Sequence, residues 1–333
     1  MIPNQWYPVL EARKLRKKPA GLERLGRKIV LWRDRDGQMR AAVDRCPHRG
    51  AMPSRGKVIG GEIACPWHGF RFGSDGVCSQ MPCEGPDAKI PHGMELEMLP
   101  AREEHGLLWI FHGDADPQAS RIRWFDEFSD DLRGTAGLSF SWPFNYVRTL
   151  ESNFDAHHFP FVHGGGRFTG QRVDVLELSE TDGHIRMRGQ LRHEDKQTGT
   201  PFRIEYKPPT LTLLEFPRFV FLVADCPVDD GNTWRYARYA QSLTRIPGLA
   251  TLLSWLAVQL DLRLFQNRQD ERIMATQQPD RPDLAIEHLV AADAATAAFV
   301  NLRHKLIREA ASQTEGATAP GGSSEKGRLL RVP

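Results

Sequence analysis

Short runs of apolar residues set the rhythm of the first third of the chain. Residues 28–32 (KIVLW), 40–43 (RAAV) and 107–111 (LLWIF) are separated by Gly, Pro and Asp turn signals, which predicts a small all-β domain over residues 1–115. A polar, acidic stretch at 114–131 then reads as a junction. Beyond it, runs at 173–178, 185–191, 202–206, 210–216, 219–224 and 234–243 alternate apolar and polar positions across turns such as DDGN, which predicts an antiparallel sheet. The period then lengthens, giving helices at about 247–277 and 289–311 with Pro279 and Pro282 between them. The predicted fold class is α+β: an all-β N-terminal domain, then an antiparallel sheet with long helices over 116–311. Residues 312–333, rich in Gly, Ser and Ala, read as a disordered tail.

Length and charge narrow the functional classes. A chain of 333 residues buries enough surface for two domains. Its 44 Lys and Arg against 42 Asp and Glu give 44 − 42 = +2, so no electrostatic case exists for nucleic acid as a partner. The basic run from Arg13 to Lys18 reads as a solvated patch. The first residues lack the apolar segment of a secretory signal, and no apolar stretch reaches the roughly 18 residues of a membrane span, so a cytoplasmic location is expected. The apolar stretch at 249–260 reads as a core or subunit-interface helix. Five cysteines, an odd number, argue against a disulfide framework and for metal or redox use. Cys78, Cys83 and Cys226 have no His at ligand spacing, and packing is the default reading for them.

Cys46 and Cys65 differ. They stand in Cys46-x-His48 and Cys65-x-x-His68, with sixteen residues between His48 and Cys65. Two thiolates and two imidazoles also suit zinc. Structural zinc sites, however, usually pair Cys with Cys and His with His on separate knuckles, whereas each knuckle here mixes the two. A Rieske centre needs two Cys on one iron and two His on the other, and a mixed pair on each of two facing loops supplies that. Pro47, Pro66, Gly50 and Gly69 suit loop tips that fold closely round a cluster.

A second constellation lies in ESNFDAHHFPFVHGGG, residues 151–166, which holds Asp155, His157, His158 and His163. Oxygen-activating non-haem iron takes two His and one carboxylate on one face, leaving open positions. Asp155 and His158 are three apart and share a helix face. His163 is five further on, about 140° round an ideal helix, so the helix must distort. Pro160 supplies the cause, and the three glycines at 164–166 suggest a helix C-cap. Phe144, Tyr146, Phe154, Phe159 and Phe161 nearby suit a pocket wall or a core equally well.

Taken together, Cys46-Pro-His48-Arg-Gly with Cys65-Pro-Trp-His68-Gly resembles the Rieske motif of ring-hydroxylating oxygenases, and Asp155-x-x-His158-x-x-x-x-His163 resembles their mononuclear-iron helix. Ala51 and Trp67 stand where respiratory Rieske proteins carry a disulfide, so the oxygenase and ferredoxin kind is the nearer match. The resemblance, which spans most of the chain, implies a catalytic domain of helix-grip type, one 2Fe-2S cluster on Cys46, His48, Cys65 and His68, and one mononuclear Fe(II) per chain. The stretch FQNRQDERIMATQ (265–277) resembles the helix that carries the third ligand in the monooxygenase branch and places it at Asp270, with Glu271 and Asp261 as substitutes. His157 would be a structural or pocket residue. The family often has Asn three residues before the aspartate, where this chain has Ser152. Asp155 itself is implied to bridge His158 to His68 of the neighbouring subunit within a homotrimer. The implied activity is that of a terminal oxygenase component that uses O2 to hydroxylate or oxidatively demethylate a small apolar or polycyclic molecule. No Gly-rich dinucleotide fingerprint occurs, so a separate flavin reductase, a ferredoxin, or both would supply electrons. A Rieske-type electron carrier with a non-catalytic second domain is the rival reading.

Overall fold

Four antiparallel sheets carry the alternation read above. The computed structural model describes residues 1–128, 134–163, 170–244, 246–278 and 288–317, the side chains at 247, 264–268 and 313–317 excepted. The strands of the N-terminal half are β1 (Gln5–Glu11), β2 (Ala20–Arg24), β3 (Arg27–Arg33), β4 (Met39–Val43), β5 (Lys57–Ile59), β6 (Glu62–Ala64), β7 (Arg71–Phe72), β8 (Cys78–Gln80), β9 (Met98–Leu99), β10 (Ala101–Glu104) and β11 (Leu107–His112). They form sheets in the orders β2-β3-β4-β9, β1-β11-β10 and β5-β6-β7-β8. The last is a small four-stranded sheet; the Cys65–His68 loop joins its β6 to β7, and the Cys46–His48 loop follows β4 of the first sheet on the way to β5.

The second half is built on a single seven-stranded sheet. Its strands are β12 (Thr135–Trp142), β13 (Gln171–Thr181), β14 (His184–His193), β15 (Thr200–Lys207), β16 (Leu211–Phe216), β17 (Phe219–Pro227) and β18 (Thr233–Gln241), in the order β12-β18-β17-β16-β15-β14-β13. Six of these follow the predicted runs. The seventh, β12, closes the sheet edge and went unpredicted because its sequence, TAGLSFSW, is rich in small residues and follows directly on the polar junction. Helices α1 (Tyr146–Phe154), α2 (Phe159–Val162), α3 (Pro247–Leu260), α4 (Glu271–Met274) and α5 (Ala294–Ala317) complete the domain. A π-helical segment, Asp261–Asp270, joins α3 to α4 and makes 247–274 one helical run, close to the predicted 247–277. The last helix runs to Ala317, so residues 312–317, expected in the tail, are helical. Gly164, Gly165 and Gly166, Pro279, Pro282 and the chain beyond 317 lie outside the described residues.

The central strands are buried on both faces, which explains their dense apolar composition. Side chains alternate between the two faces of a strand, so β16 sends Leu211 and Leu213 to one side, β17 sends Leu222, Ala224 and Cys226, and β18 sends Trp234 and Tyr236. These pack against Trp6, Leu10, Leu108 and Phe111 of the N-terminal half in one continuous core. Polar contacts reinforce the seam. Arg13 bonds to Glu11 at 2.6 Å and to the Gly137 carbonyl at 3.0 Å, while Lys14 reaches Ser139 at 2.7 Å. Arg13 and Lys14 therefore join the two halves while staying exposed with Arg16, Lys17 and Lys18, as a solvated patch requires. The opposite face of the sheet carries Phe216, Phe221, Val223 and Tyr239 towards the helices. Behind α1, Phe154 stacks on Phe299 of α5 at 5.3 Å, and Tyr206 meets Phe299 edge-on at 5.2 Å.

On α3, Ala250, Ser254 and Val258 are buried, and the helix packs on β12 and β18. Its other face leaves Leu252, Trp255 and Leu260 exposed in the single chain. No described helix is long and apolar enough to cross a membrane. Cys78 and Cys226 are buried as expected of packing cysteines, but Cys83 is exposed on a short 3-10 turn, Pro82–Glu84.

Candidate functional site

The two Cys-His loops are twins in backbone geometry. Cys46 N–H donates to the Ala51 carbonyl at 2.8 Å and Gly50 N–H to the Cys46 carbonyl at 2.9 Å; Cys65 N–H donates to Phe70 at 2.8 Å and Gly69 N–H to Cys65 at 3.1 Å. Each turn needs a residue with positive φ, and Gly50 and Gly69 both adopt +74°. The result is a pair of matching tips. The sulfurs lie inside, Cys46 and Cys65 being 2% and 3% exposed, while His48 is exposed and His68 half-buried. The two imidazoles meet edge-on with ring centroids 4.8 Å apart.

This donor set fits a binuclear cluster better than zinc. One zinc ion would gather four ligand atoms around a point at about 2.0–2.3 Å each. Here the four donors are sorted instead into two pairs, Cys46 beside Cys65 and His48 beside His68. A thiol pair inside and an imidazole pair outside matches the two unlike irons of a Rieske cluster. Burial pushes the Cys46 thiol up to about 11, with Cys65 adding to the rise against backbone N–H donors of His48 and Arg49. A bound cation is what would release that proton.

The compact group is His158, His163 and Asp270. Helix α1 ends at Phe154, and Asp155 turns to extended backbone at φ −80°, ψ 90°. Its Oδ1 accepts the His158 backbone N–H at 3.2 Å, the kind of local bond by which Asp competes with a helix. The distortion assigned to Pro160 lies one turn upstream, at 155–158, because the ring excludes a helical carbonyl at Ala156. Pro160 itself sits in the first turn of α2, where it is tolerated. Asp155 and His158 therefore meet across a turn rather than along one helix.

From the far side, the π-helical segment brings in Asp270. Its Oδ1 lies 3.7 Å from His158 Nε2 and 3.3 Å from His163 Nε2. The other nitrogen of each ring is also engaged, with His158 Nδ1 3.5 Å from Asp155 Oδ2 and His163 Nδ1 2.6 Å from Gln269 Oε1. Burial lowers the basicity of His158, but Asp155 outweighs it and the net shift is upward. Burial also lowers His163, against the opposing hydrogen bond from Gln269. Burial raises Asp270 to about 6 despite the nearby cations His158 and Arg235, and Asp155 adds repulsion. Asp155 shifts down, because its bond to His158 overcomes burial.

Each expected site residue now has a location. His157 is half-buried and stands outside the cluster. Glu271 is not among its donors, and Asp261 instead accepts the Tyr239 hydroxyl. Gln269 was missed, since a residue that touches a ligand's far nitrogen follows no fixed spacing in sequence. The cluster opens on a cavity of about 1010 Å3 between the sheet and the helices. Phe159 is the one aromatic of the five near α1 that joins its wall; Phe216, Phe219 and Phe221 come from the sheet. Tyr146 and Phe154 are core, and Phe161 is 85% exposed.

Comparison with known proteins fits this geometry. Residues 5–99 match the Rieske [2Fe-2S] domain. The chain is 31% identical over 177 residues to Protein TIC 55 of pea, Pisum sativum, covering 53% of this chain but only 32% of that protein. It is 29% identical over 248 residues to the oxygenase component of dicamba O-demethylase from Stenotrophomonas maltophilia, covering 74% of this chain and 67% of the relative. The crystal structure of dicamba monooxygenase bound to dicamba superposes with a TM-score of 0.73 at 21% identity, over 94% of this chain and 99% of that one. The resemblance read from the sequence thus holds: residues 5–99 are a Rieske [2Fe-2S] domain, and the chain as a whole has the two-domain fold of Rieske non-haem iron oxygenase components.

Proposed function

We propose that this chain is the terminal oxygenase component of a Rieske non-haem iron monooxygenase that hydroxylates or oxidatively demethylates a small, largely apolar molecule. The observation that carries this reading is the convergence of two imidazole Nε2 atoms and one carboxylate oxygen at the wall of a large cavity, each imidazole held from behind at Nδ1. In this reading Cys46, His48, Cys65 and His68 hold the 2Fe-2S cluster, and His158, His163 and Asp270 hold the iron. When bound, the cluster supplies single electrons and the iron supplies activation of O2 for insertion of one oxygen atom into a substrate C–H bond.

The protein's part is placement and exclusion. Asp155 fixes the His158 ring through Oδ2 while holding the adjacent backbone through Oδ1. Phe159, Phe216, Phe219 and Phe221 give the cavity an apolar wall that orients a substrate and displaces water. The Asp155 side chain remains 41% exposed, leaving an edge from which it would accept a hydrogen bond from His68 of a neighbouring subunit in a homotrimer. Electrons come from a separate flavin reductase or ferredoxin, and the setting is the cytoplasm. The names of similar proteins, dicamba O-demethylase and methylxanthine N1-demethylase, favour removal of methyl groups from O or N.

Metal analysis after anaerobic purification tests the proposal. Two cluster irons plus one mononuclear iron, three per chain, are expected, with labelled oxygen from 18O2 in the hydroxylated product or in the aldehyde released by demethylation. Two irons per chain, with no product from any substrate, would leave an electron carrier instead.

A further inference from the structure

We infer that Gln269 is a positioning residue for His163: its side-chain carbonyl holds the proton on Nδ1 and so keeps Nε2 free as an electron-pair donor towards the cavity. The inference rests on the reading of His158, His163 and Asp270 as metal ligands. Gln269 Oε1 lies 2.6 Å from His163 Nδ1, while Asp270 Oδ1 lies 3.3 Å from Nε2 of the same ring. Two consecutive residues thus grip one imidazole at both of its nitrogens. Neighbours on an α-helix diverge by about 100°, and here both come from the end of the π-helical segment Asp261–Asp270, whose wider turn gives the chain a different path.

The sense of the hydrogen bond decides the chemistry. A neutral imidazole carries one proton, and a carbonyl acceptor at Nδ1 puts it there. If the amide were reversed, its NH2 would donate to Nδ1 and drive the proton to Nε2, where it would face Asp270 and exclude a cation. The His163 side chain is only 7% exposed, so water is poorly placed to substitute for the lost acceptor. The two histidines are also held unequally. A carboxylate stands behind His158 and a neutral amide behind His163, so the orientation of His163 is fixed without a further negative charge beside Asp270.

The test uses the full chain with its Rieske cluster intact and the mononuclear metal removed, titrated anaerobically with Co(II) and followed by the visible d–d bands. Gln269→Leu removes the acceptor and should weaken Co(II) binding about tenfold to a hundredfold, the usual effect of losing a ligand's hydrogen-bond partner. Gln269→Glu keeps an acceptor and removes the donor, so it should bind at least as tightly as the parent. The Rieske absorption spectrum checks folding in each variant. Unchanged binding by Gln269→Leu, or an equal loss in Gln269→Glu, overturns the inference alone. A parent chain that takes up no Co(II) sensitive to Asp270→Ala overturns the ligand reading and this inference with it.

Discussion

Arg235 and Asp225 form a salt bridge in the middle of the large sheet, their side chains 2% and 0% exposed. Nε donates to Oδ1 at 2.8 Å and Nη2 to Oδ2 at 3.0 Å. The same Nη2 reaches the Thr149 carbonyl at 3.2 Å and Asn153 Oδ1 at 3.3 Å, tying the sheet to the middle and the last turn of α1. The guanidinium also lies over the Trp142 ring, 4.3 Å from its centroid. Arg235→Leu leaves a carboxylate in a dry interior, and breaking a buried pair from one side costs about 3–5 kcal/mol. Burial already holds Asp225 above the usual carboxylate range against the pull of Arg235, so in the variant it takes up a proton, which limits the cost without removing it. At about 2 °C per kcal/mol for a large domain, the melting point should fall by about 6–10 °C. The double variant Arg235→Leu, Asp225→Leu removes both charges and should recover most of that loss. Urea unfolding followed by tryptophan fluorescence, with melting scans of the parent, both single variants and the double, measures the coupling. A single-variant cost under about 1 kcal/mol, or a double variant equal to the sum of the singles, refutes the reasoning.

Two further outcomes follow from the site. Asp155→Asn should leave cluster and mononuclear iron bound at parental stoichiometry while nearly abolishing turnover, checked by metal analysis beside product formation; parental turnover removes Asp155 from the path between subunits. His158→Ala should lose the mononuclear iron and retain the cluster spectrum, whereas His157→Ala should retain both, and the reverse pattern in metal analysis would show that the wrong histidine was chosen.

Spacing singled out the candidate ligands before any coordinates. Cys46, His48, Cys65 and His68 stand at intervals set by two loop turns that must each wrap one side of a cluster, so sequence distance maps directly onto geometry. The same holds for His158 and His163, which share one short segment. Asp270 became visible only through resemblance, because a residue more than a hundred positions away carries no local signal of proximity. Three features stayed hidden for physical reasons. The break at Asp155 depends on its side chain accepting the His158 backbone N–H rather than on apolar period. The cavity wall of Phe216, Phe219 and Phe221 is defined by register across strands. The π-helical turn that sets Gln269 against His163 leaves no trace in an amphipathic pattern.

One core spanning both halves has a mechanical consequence. Leu211, Leu213, Leu222 and Trp234 bury their side chains against Trp6, Leu108 and Phe111, so neither half can swing or be excised without exposing a broad greasy face. The seam between the two halves is thus set when the chain folds. A hinge between the halves would have to break this seam before it could open.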